Sequence, residues 1–252
     1  MRKYFRSIQT FFPFLHDLRF KIKLLLIRVS GKPHEYDFTA LKYFKPEPQQ
    51  VYVDIGSNRG EAITSMLVMS KTKNRIIGFE PNSLIFSKLK KNFDGNNRIE
   101  VNNCGLGDKK QELTLYIPFY RKWMFDGLSS LKYEAAEDWL KTRLWRFNMK
   151  KLSIKRLSCE VRTLDEFNLN PYFIKIDVQG FEFEVLKGGE NTIKTYKPIL
   201  LIESISEEVI QYLKSFGYLF YSFKDNSFLE GTGGLNTFCM TQDQLSKLSV
   251  NH

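Results

Sequence analysis

Cysteine, histidine and long apolar runs are scarce in this chain of 252 residues. Its three cysteines show no CxxC spacing and have no histidine nearby in the sequence, which argues against a disulfide framework and a zinc knuckle and favours a reducing compartment. No stretch approaches the roughly 18 apolar residues that a membrane-spanning helix needs, and Arg28 interrupts even the run after Lys23. With 42% hydrophobic and 26% charged residues, we expect a globular protein without a membrane span.

Acidic residues are fewer than basic ones. Against 38 Lys and Arg stand 28 Asp and Glu, which gives a formal charge of +10 and a pI near 9.3. This excess predicts attraction to an anionic partner, and nucleic acid, an acidic membrane surface and a negatively charged substrate each fit.

The first 33 residues hold eight cations and a single acid, Asp17, with aromatic and aliphatic residues between them. The segment is not typical of a secretory signal, because charges interrupt its apolar part and no small-residue cleavage site follows. It is typical of a basic amphipathic helix. Such a helix lies in a membrane interface or packs across the main domain, and the pattern alone leaves both alternatives open.

From residue 50 onward, strand-like and helix-like segments alternate. Apolar segments bounded by glycine, proline or polar residues predict strands at 51–56, 75–81, 98–104, 112–118, 172–177 and 198–204. Helical spacing predicts helices at 61–71, 83–93, 181–193 and 206–217, with Ser83 as the N-cap of the second. Residues 218–223 and 235–241 flank a polar, glycine-rich loop, as an antiparallel strand pair would.

These repeated units predict an α/β fold. We expect a doubly wound, seven-stranded, mostly parallel sheet of the Rossmann-like kind, with helices on both faces and a C-terminal antiparallel strand pair. Residues 1–45 are expected to form a helical extension, and 46–252 one domain. An insert at 119–160, which carries all three tryptophans and ten cations, interrupts the alternation and is expected on the substrate side.

Acids stand at the predicted carboxyl ends of the strands, where doubly wound sheets bind ligands. The first is Asp54, followed by the turn DIGSNRG, whose glycines at 56 and 60 allow a tight bend. The turn is not the GxGxxG of a dinucleotide site, and Asp54 and Glu61 would repel a pyrophosphate. A cofactor with an amino-bearing tail therefore fits better than NAD.

Glu80 ends the second strand and either accepts hydrogen bonds from a ribose or caps the next helix. Together these features suggest S-adenosylmethionine.

Several segments, in order, resemble the FkbM-type methyltransferases. They are VDIGSNRGEAITSML, GFEPN, NNCGLGDKKQELTLYIP, SSL, VRTLDEF, FIKIDVQGFEFEVLKGGENTI and PILLIES, between about Val51 and Met240. The resemblance implies an S-adenosylmethionine-dependent O-methyltransferase that acts on hydroxyls of sugars, glycans or related natural products. The cofactor-binding residues that it implies are Asp54, Gly56, Ser57, Asn58, Gly60, Glu80, Pro81 and, near the adenine, Asn103. DVQG, with Gln179, stands where the family more often has DVEG.

Methyl transfer to a hydroxyl needs a base within about 3 Å of the oxygen. The three histidines, His16, His34 and His252, lie outside the strand ends. Elimination leaves Asp177 as the base. Glu182 and Glu203 are the predicted catalytic neighbours, which would raise its pKa or share a divalent cation with it, although no metal site is predicted outright. Lys175, two residues earlier on the same sheet face, would temper the acid cluster.

Two other functions stay open at this point. One is methylation of RNA or another nucleic acid, although the chain lacks a proline–aromatic loop for a flipped base and a cysteine suited to attack a pyrimidine, which makes nucleic acid the less favoured partner. The other is a non-catalytic membrane-surface protein that retains the fold. The expected location is the cytoplasm or the inner membrane face, and the sequence predicts neither the acceptor nor the oligomeric state.

Overall fold

A large β-sheet organises the chain. The computed structural model describes residues 2–248, without the side chains of Arg2 and Trp139, so His252 lies outside the described residues. The strands are β1 (Val51–Ile55), β2 (Ile76–Phe79), β3 (Ile99–Asn102), β4 (Gly105–Leu106), β5 (Gln111–Tyr120), β6 (Trp123–Met124), β7 (Leu152–Arg162), β8 (Pro171–Ile176), β9 (Ile199–Glu203), β10 (Leu219–Lys224), β11 (Ser227–Glu230) and β12 (Asn236–Met240). The α-helices are α1 (Arg2–Gln9), α2 (Leu15–Ser30), α3 (Glu61–Met69), α4 (Ser83–Asn92), α5 (Tyr133–Arg143), α6 (Glu182–Gly188), α7 (Glu190–Tyr196), α8 (Glu207–Lys214) and α9 (Gln242–Lys247). A 3₁₀ helix spans Tyr36–Tyr43.

Eight strands form the main sheet in the order β11-β10-β12-β9-β8-β1-β2-β3. The five from β9 to β3 are parallel, whereas β12, β10 and β11 each run antiparallel to their neighbours. Alternate side chains of the strands enter two apolar cores. The 3₁₀ helix, α3 and α4 cover one core, and α6, α7 and α8 cover the other. The predicted Rossmann-like α/β class and the C-terminal antiparallel pair, β10 with β12, are confirmed.

The predicted number of seven strands is wrong, because part of the expected glycine-rich loop is itself a strand. Ser227–Glu230 pairs with β10 as a hairpin. The two residues between the strands, Asp225 and Asn226, have φ of 50° and 62°. A two-residue hairpin turn needs that left-handed conformation, which Asp and Asn tolerate better than most residues.

A second sheet stands beside the main one, with strand order β4-β7-β5-β6. The strand predicted at 112–118 exists, as β5, but it belongs to this sheet. Its long antiparallel ladder with β7 runs from the Gln111–Val161 pair to the Tyr120–Leu152 pair. The segment 119–160 thus contributes β6, α5 and most of β7, and it extends a sheet rather than forming a loop.

Two helix boundaries differ from expectation. The helix expected at 181–193 is broken into α6 and α7 at Gly189, whose φ of −114° and ψ of 15° are not helical. At α4 the N-cap is Asn82 rather than Ser83, because the Asn82 side chain accepts the hydrogen bond of the Leu84 N–H at 3.1 Å.

The N-terminal segment forms two helices, with Pro13 in the connection between them. α2 buries His16, Leu24 and Ile27 and ends at Gly31 with φ of +64°. Lys23 of α2 pairs with Glu61 of α3 at 3.0 Å, so that one side of α2 rests on the main domain. Across residues 2–248, the helices are all too short or too polar to cross a bilayer.

Candidate functional site

A cleft opens at the carboxyl edge of the main sheet, beside β1 and β8, where the strand order reverses. Doubly wound sheets bind ligands at such a switch point. Four predicted cofactor-binding residues, Gly56, Asn58, Glu80 and Pro81, line the cleft, as does the predicted base Asp177. The other lining residues are Ile55, Phe79, Cys104, Gly105, Leu106, Leu115, Asp126, Gly127, Ser129, Ser130, Leu131, Val178, Gln179 and Phe181.

Gly56 brings two sides of the cleft into contact. It has φ of +88°, and a Cβ there would lie 1.9 Å from the main-chain oxygen of Asp177. Any side chain at this position would therefore collide with the backbone of the segment after β8. Only glycine combines this φ with the close approach of the two loops.

Ser57 and Gly60, also predicted to bind the cofactor, shape the turn instead of lining the cleft. The Ser57 hydroxyl donates to the main-chain oxygen of Asp54 at 2.9 Å and accepts from the Phe79 N–H at 3.1 Å, which ties the ends of β1 and β2 together. Gly60 precedes α3 with φ of +93°, and a Cβ there would lie 2.4 Å from the Phe93 ring.

Glu80 is buried at the cleft wall and bonded through both oxygens. Its Oε2 accepts from the Asn58 N–H at 2.7 Å, and its Oε1 accepts from the Asn82 N–H at 2.8 Å. Burial raises the pKa of Glu80 to about 7, although these two bonds oppose the rise. Glu80 does not cap α4, whose N-cap is Asn82, but it holds the local backbone, and each of its carboxylate oxygens can accept a further hydrogen bond.

Two further acceptors near the turn lack donors. Neither carboxylate oxygen of Asp54 accepts a hydrogen bond from a described residue, and the same holds for the side-chain oxygen of Asn58. Asp54 is fully buried, and burial raises its pKa to about 6, against the opposing charge of Lys175. Buried acceptors without donors are costly. Asn58 lines the cleft, so a ligand that brings N–H donors would satisfy its oxygen, whereas Asp54 is not among the residues that line the cleft.

The opposite wall of the cleft is apolar and includes Leu106, Leu115 and Cys104. Burial raises the pKa of the Cys104 thiol to about 11, so this cysteine, which follows β3, is a poor nucleophile. Asn103, predicted near the adenine, is exposed and does not line the cleft. Its side chain donates to the main-chain oxygen of Glu80 at 2.8 Å and steadies the end of β2.

Asp177 and Glu203, at the ends of β8 and β9, form a hydrogen-bonded pair of acids. The buried Lys175 donates to Asp177 Oδ2 at 3.0 Å, as predicted, and Gln179 donates to Oδ1 at 2.7 Å. Burial favours the neutral acid, yet the Lys175 ammonium and the hydrogen bonds bring the pKa of Asp177 below its ordinary value. For Glu203, burial and the charge of Asp177 raise the pKa to about 8. The expectation that its neighbours raise the pKa of Asp177 is therefore wrong, because the charge of Lys175 lowers this pKa and Glu203, which holds the proton, lowers it further through its hydrogen bond.

Glu182, the third predicted catalytic acid, binds the backbone. Its Oε1 accepts from the Gly180 N–H at 3.0 Å and from the Val178 N–H at 3.4 Å, at the start of α6. Burial raises its pKa. In the part of the chain that the structure describes, no group of three or more His, Cys, Asp or Glu side chains is arranged to hold a metal ion.

The segment between α2 and the 3₁₀ helix also reaches the site, which the sequence did not predict. His34 lies close enough for the charges of Lys175 and Asp177 to affect it, and burial above all lowers its pKa to about 3, so the ring is neutral. Glu35 neighbours Glu203, and its Oε2 accepts from the Asn236 amide at 3.0 Å. The strand-end acids are thus flanked by polar groups that distant parts of the chain supply.

Arg59, in the turn after β1, anchors an ionic network. Its Nε donates to Asp126 of the cleft wall, its Nη1 donates to Asp17 of α2 at 2.8 Å, and its Nη2 lies 2.9 Å from His16 Nδ1. Arg59 is 2% exposed and Asp126 is 7% exposed. Lys88 pairs with Asp17 at 2.6 Å. The network ties α2 to the cleft through buried charges.

A model of the methyltransferase FkbM domain matches residues 54–220, which includes the end of β1, the cleft-lining turns and the strand-end acids. The chain belongs to the FkbM methyltransferase family. The resemblance stated from the sequence is thereby confirmed.

Individual proteins are similar to parts of the chain. Methyltransferase 1 of Beauveria bassiana (strain ARSEF 2860) is 30% identical over 150 residues, which cover 54% of this chain and 57% of that protein. The crystal structure of an FkbM methyltransferase from Methylobacillus flagellatus KT has a TM-score of 0.49 at 18% identity and covers 86% of this chain and 52% of that one. A precorrin-6y C5,15-methyltransferase from Geobacter metallireducens GS-15 has a TM-score of 0.38 at 11% identity, with 79% and 82% covered. The chain spans little more than half the length of the first two.

Proposed function

We propose that this chain is an S-adenosylmethionine-dependent O-methyltransferase whose acceptor is a hydroxyl of a sugar, glycan or related natural product. The observation that carries the proposal is the Asp177–Glu203 pair, whose member Asp177 lines the same cleft as Glu80. A hydroxyl must lose a proton as its oxygen is methylated, and a pair of carboxylates supplies a base for that proton.

The cleft residues suit the parts of the cofactor. Glu80 can accept hydrogen bonds from the two ribose hydroxyls, and the apolar wall with Leu106 and Leu115 suits an aromatic base. Asn58 offers a buried oxygen that lacks a donor, as an amino group requires. S-adenosylmethionine, when bound, supplies a methyl group on a positively charged sulfur.

The acid pair acts as one base. At pH 7 it holds one proton, on Glu203, while Lys175 keeps Asp177 ionised. With both acids ionised, Asp177 faces the cleft and can take a proton from a hydroxyl. The protonated Asp177 then donates a hydrogen bond to the Glu203 carboxylate, which takes the proton inward. The doubly ionised form is thus the active base, and it becomes dominant above a pH of about 8.

We expect turnover to rise with pH and to level off above about 8, because the proton on Glu203 must leave first.

Asp177→Asn should lower turnover by roughly 100-fold while cofactor affinity stays within a few-fold, since the amide keeps the shape and loses the basicity. Glu208→Gln, an exposed carboxyl-to-amide change on α8, is the matched control and should retain full turnover. Wild-type turnover in Asp177→Asn would remove the pair from the mechanism.

The acceptor class is tested with cofactor that carries an isotopically labelled methyl group. The purified protein is incubated with a panel of oligosaccharides, small hydroxylated products and RNA, and mass spectrometry locates the label. We expect it on a hydroxyl of a glycan or small product. Label on RNA alone would replace the proposal with nucleic-acid methylation. Failure to bind S-adenosylmethionine in calorimetry would favour a non-catalytic protein.

A further inference from the structure

The surface of α1 and α2 is unusually apolar. Among the described residues, 19 large hydrophobic side chains are exposed, and 11 of them lie between Tyr4 and Val29. Phe5 is 64% exposed, Phe14 74% and Val29 77%. Scattered exposed hydrophobic residues are ordinary, but a contiguous patch of this kind marks a surface that meets another apolar phase.

On α2 these side chains form a stripe. With 3.6 residues per turn, they fall within about a third of the helix circumference. The members of the stripe are Leu15, Leu18, Ile22, Leu25, Leu26 and Val29. The opposite side of α2 carries His16, Leu24 and Ile27, which are already buried against the protein. The stripe is therefore not a core face that this chain could cover by a small shift of α2.

Cations border the stripe on both sides. On the helical projection Arg19 lies beside one edge, and Lys21 and Arg28 lie beside the other; all three are exposed. The single acid of the segment, Asp17, is on the inner side, where Arg59 and Lys88 bind it. The outward surface thus presents apolar side chains between rows of positive charge.

The surface continues onto the insert through an aromatic contact. The rings of Tyr4 and Trp145 are 5.3 Å apart, Trp145 is 48% exposed, and the Arg146 guanidinium lies 4.5 Å from its ring centroid. Tyrosine and tryptophan favour the headgroup level of a bilayer, because their rings are amphipathic.

We propose that the α1–α2 surface, residues 3–29 together with Trp145, docks on an anionic phospholipid bilayer with α2 in the plane of the interface. The apolar stripe enters the acyl boundary, and the flanking cations meet the headgroups. Charge excludes a second copy of the chain as the natural occupant, because it would bring two surfaces of the same positive sign together. The inference does not depend on methyl transfer. The sequence left two alternatives open for this segment, a membrane interface and packing on the main domain. The proposal includes both, since one side of α2 packs on the domain and the other docks on the bilayer.

Flotation with vesicles tests the proposal. We expect the full-length protein to float with vesicles of phosphatidylcholine and phosphatidylglycerol at low salt, and to float far less with phosphatidylcholine alone. Replacing Ile22 and Leu25 together by Glu should lower vesicle affinity by about 30-fold or more, because the stripe loses apolar area and gains repelled charge. Lys21→Ala should lower it about fivefold.

Matched controls separate a local effect from general surface change. Leu235→Glu alters a loop residue that is 48% exposed, like Ile22 at 47%, and Lys214→Ala removes an exposed cation on α8. Both should float as the unaltered protein does, and all variants should bind S-adenosylmethionine alike. Equal flotation of the Ile22/Leu25 variant and the unaltered protein would overturn the proposal, as would equal binding to neutral vesicles. A stable dimer in light scattering that the Ile22/Leu25 variant dissociates would assign the surface to a second copy instead.

Discussion

The pH dependence of nucleoside binding should report the ionisation of Glu80. Its pKa of about 7 means that roughly a tenth of the free protein carries the anion at pH 6 and roughly nine tenths at pH 8. The anion accepts two hydroxyl hydrogen bonds, whereas the neutral acid presents a proton to one of them. If the anion alone binds the ribose diol, affinity rises about tenfold between these two pH values.

Adenosine is the better ligand for this measurement than the whole cofactor. It carries the ribose diol and has no group that titrates between pH 6 and 8, so calorimetry at each pH reports on the protein. Dideoxyadenosine, which lacks both hydroxyls, is the matched ligand and should bind weakly with little pH dependence. Glu80→Gln should also remove the dependence, because the amide does not ionise.

A flat adenosine profile in the unaltered protein would refute the ribose role of Glu80. So would equal pH dependence for adenosine and dideoxyadenosine, since a change that ignores the hydroxyls must arise elsewhere in the cleft. Thermal unfolding without ligand, followed over the same pH range, shows whether the fold itself changes. The Glu80→Gln variant is expected to unfold at a lower temperature. Its side-chain amide places an N–H₂ donor against one of the two backbone N–H donors that Glu80 binds, so that hydrogen bond is lost.

Two stability measurements follow from buried contacts. Gly56→Ala should lower the free energy of unfolding, measured with denaturant, by more than about 2 kcal/mol and should abolish cofactor binding. Gly95→Ala is the control, because Gly95 has φ of +76° and open space around it, and it should lower this free energy by about 1 kcal/mol. Similar losses in the two variants would mean that φ alone matters at position 56. Arg59→Met should cost about 3–5 kcal/mol because it leaves buried carboxylate charge without its cation. Arg75→Met, which breaks an exposed pair with Glu100, should cost less than about 1 kcal/mol. A small loss at Arg59 would show that the network is solvated in the native state.

The parallel strands and the edge that carries the acids were predictable from local patterns. Apolar runs that stop at glycine, proline or an acid mark the ends of β1, β2, β8 and β9, and the carboxyl ends of parallel strands meet at one edge. The second sheet was not predictable in this way. β5 alternates as any half-buried strand does, and its pairing with β7 depends on a contact about 40 residues away that no local pattern records.

The pKa values at the site depend on how deeply each group is buried, and a sequence does not show burial. Strand alternation places Lys175 on the same face as Asp177. Only the fold shows that Lys175 is 3% exposed, and this burial lets its charge keep Asp177 ionised. Arg59 likewise lies in the turn DIGSNRG, in which the glycines carry the local signal. Its partners Asp17 and Asp126 are 42 and 67 residues away.

The main-chain oxygen of Asp177 fills the place that a side chain at Gly56 would need. The backbones of the loop after β1 and the loop after β8 are therefore in direct contact, and a change in the conformation of one requires a change in the other. The insert and α2 both meet the loop after β1 at Arg59, which binds Asp126 and Asp17. For protein engineering, position 56 must stay glycine, and any redesign of the segment 119–160 must preserve its stretch from Asp126 to Leu131, because residues of that stretch line the same cleft.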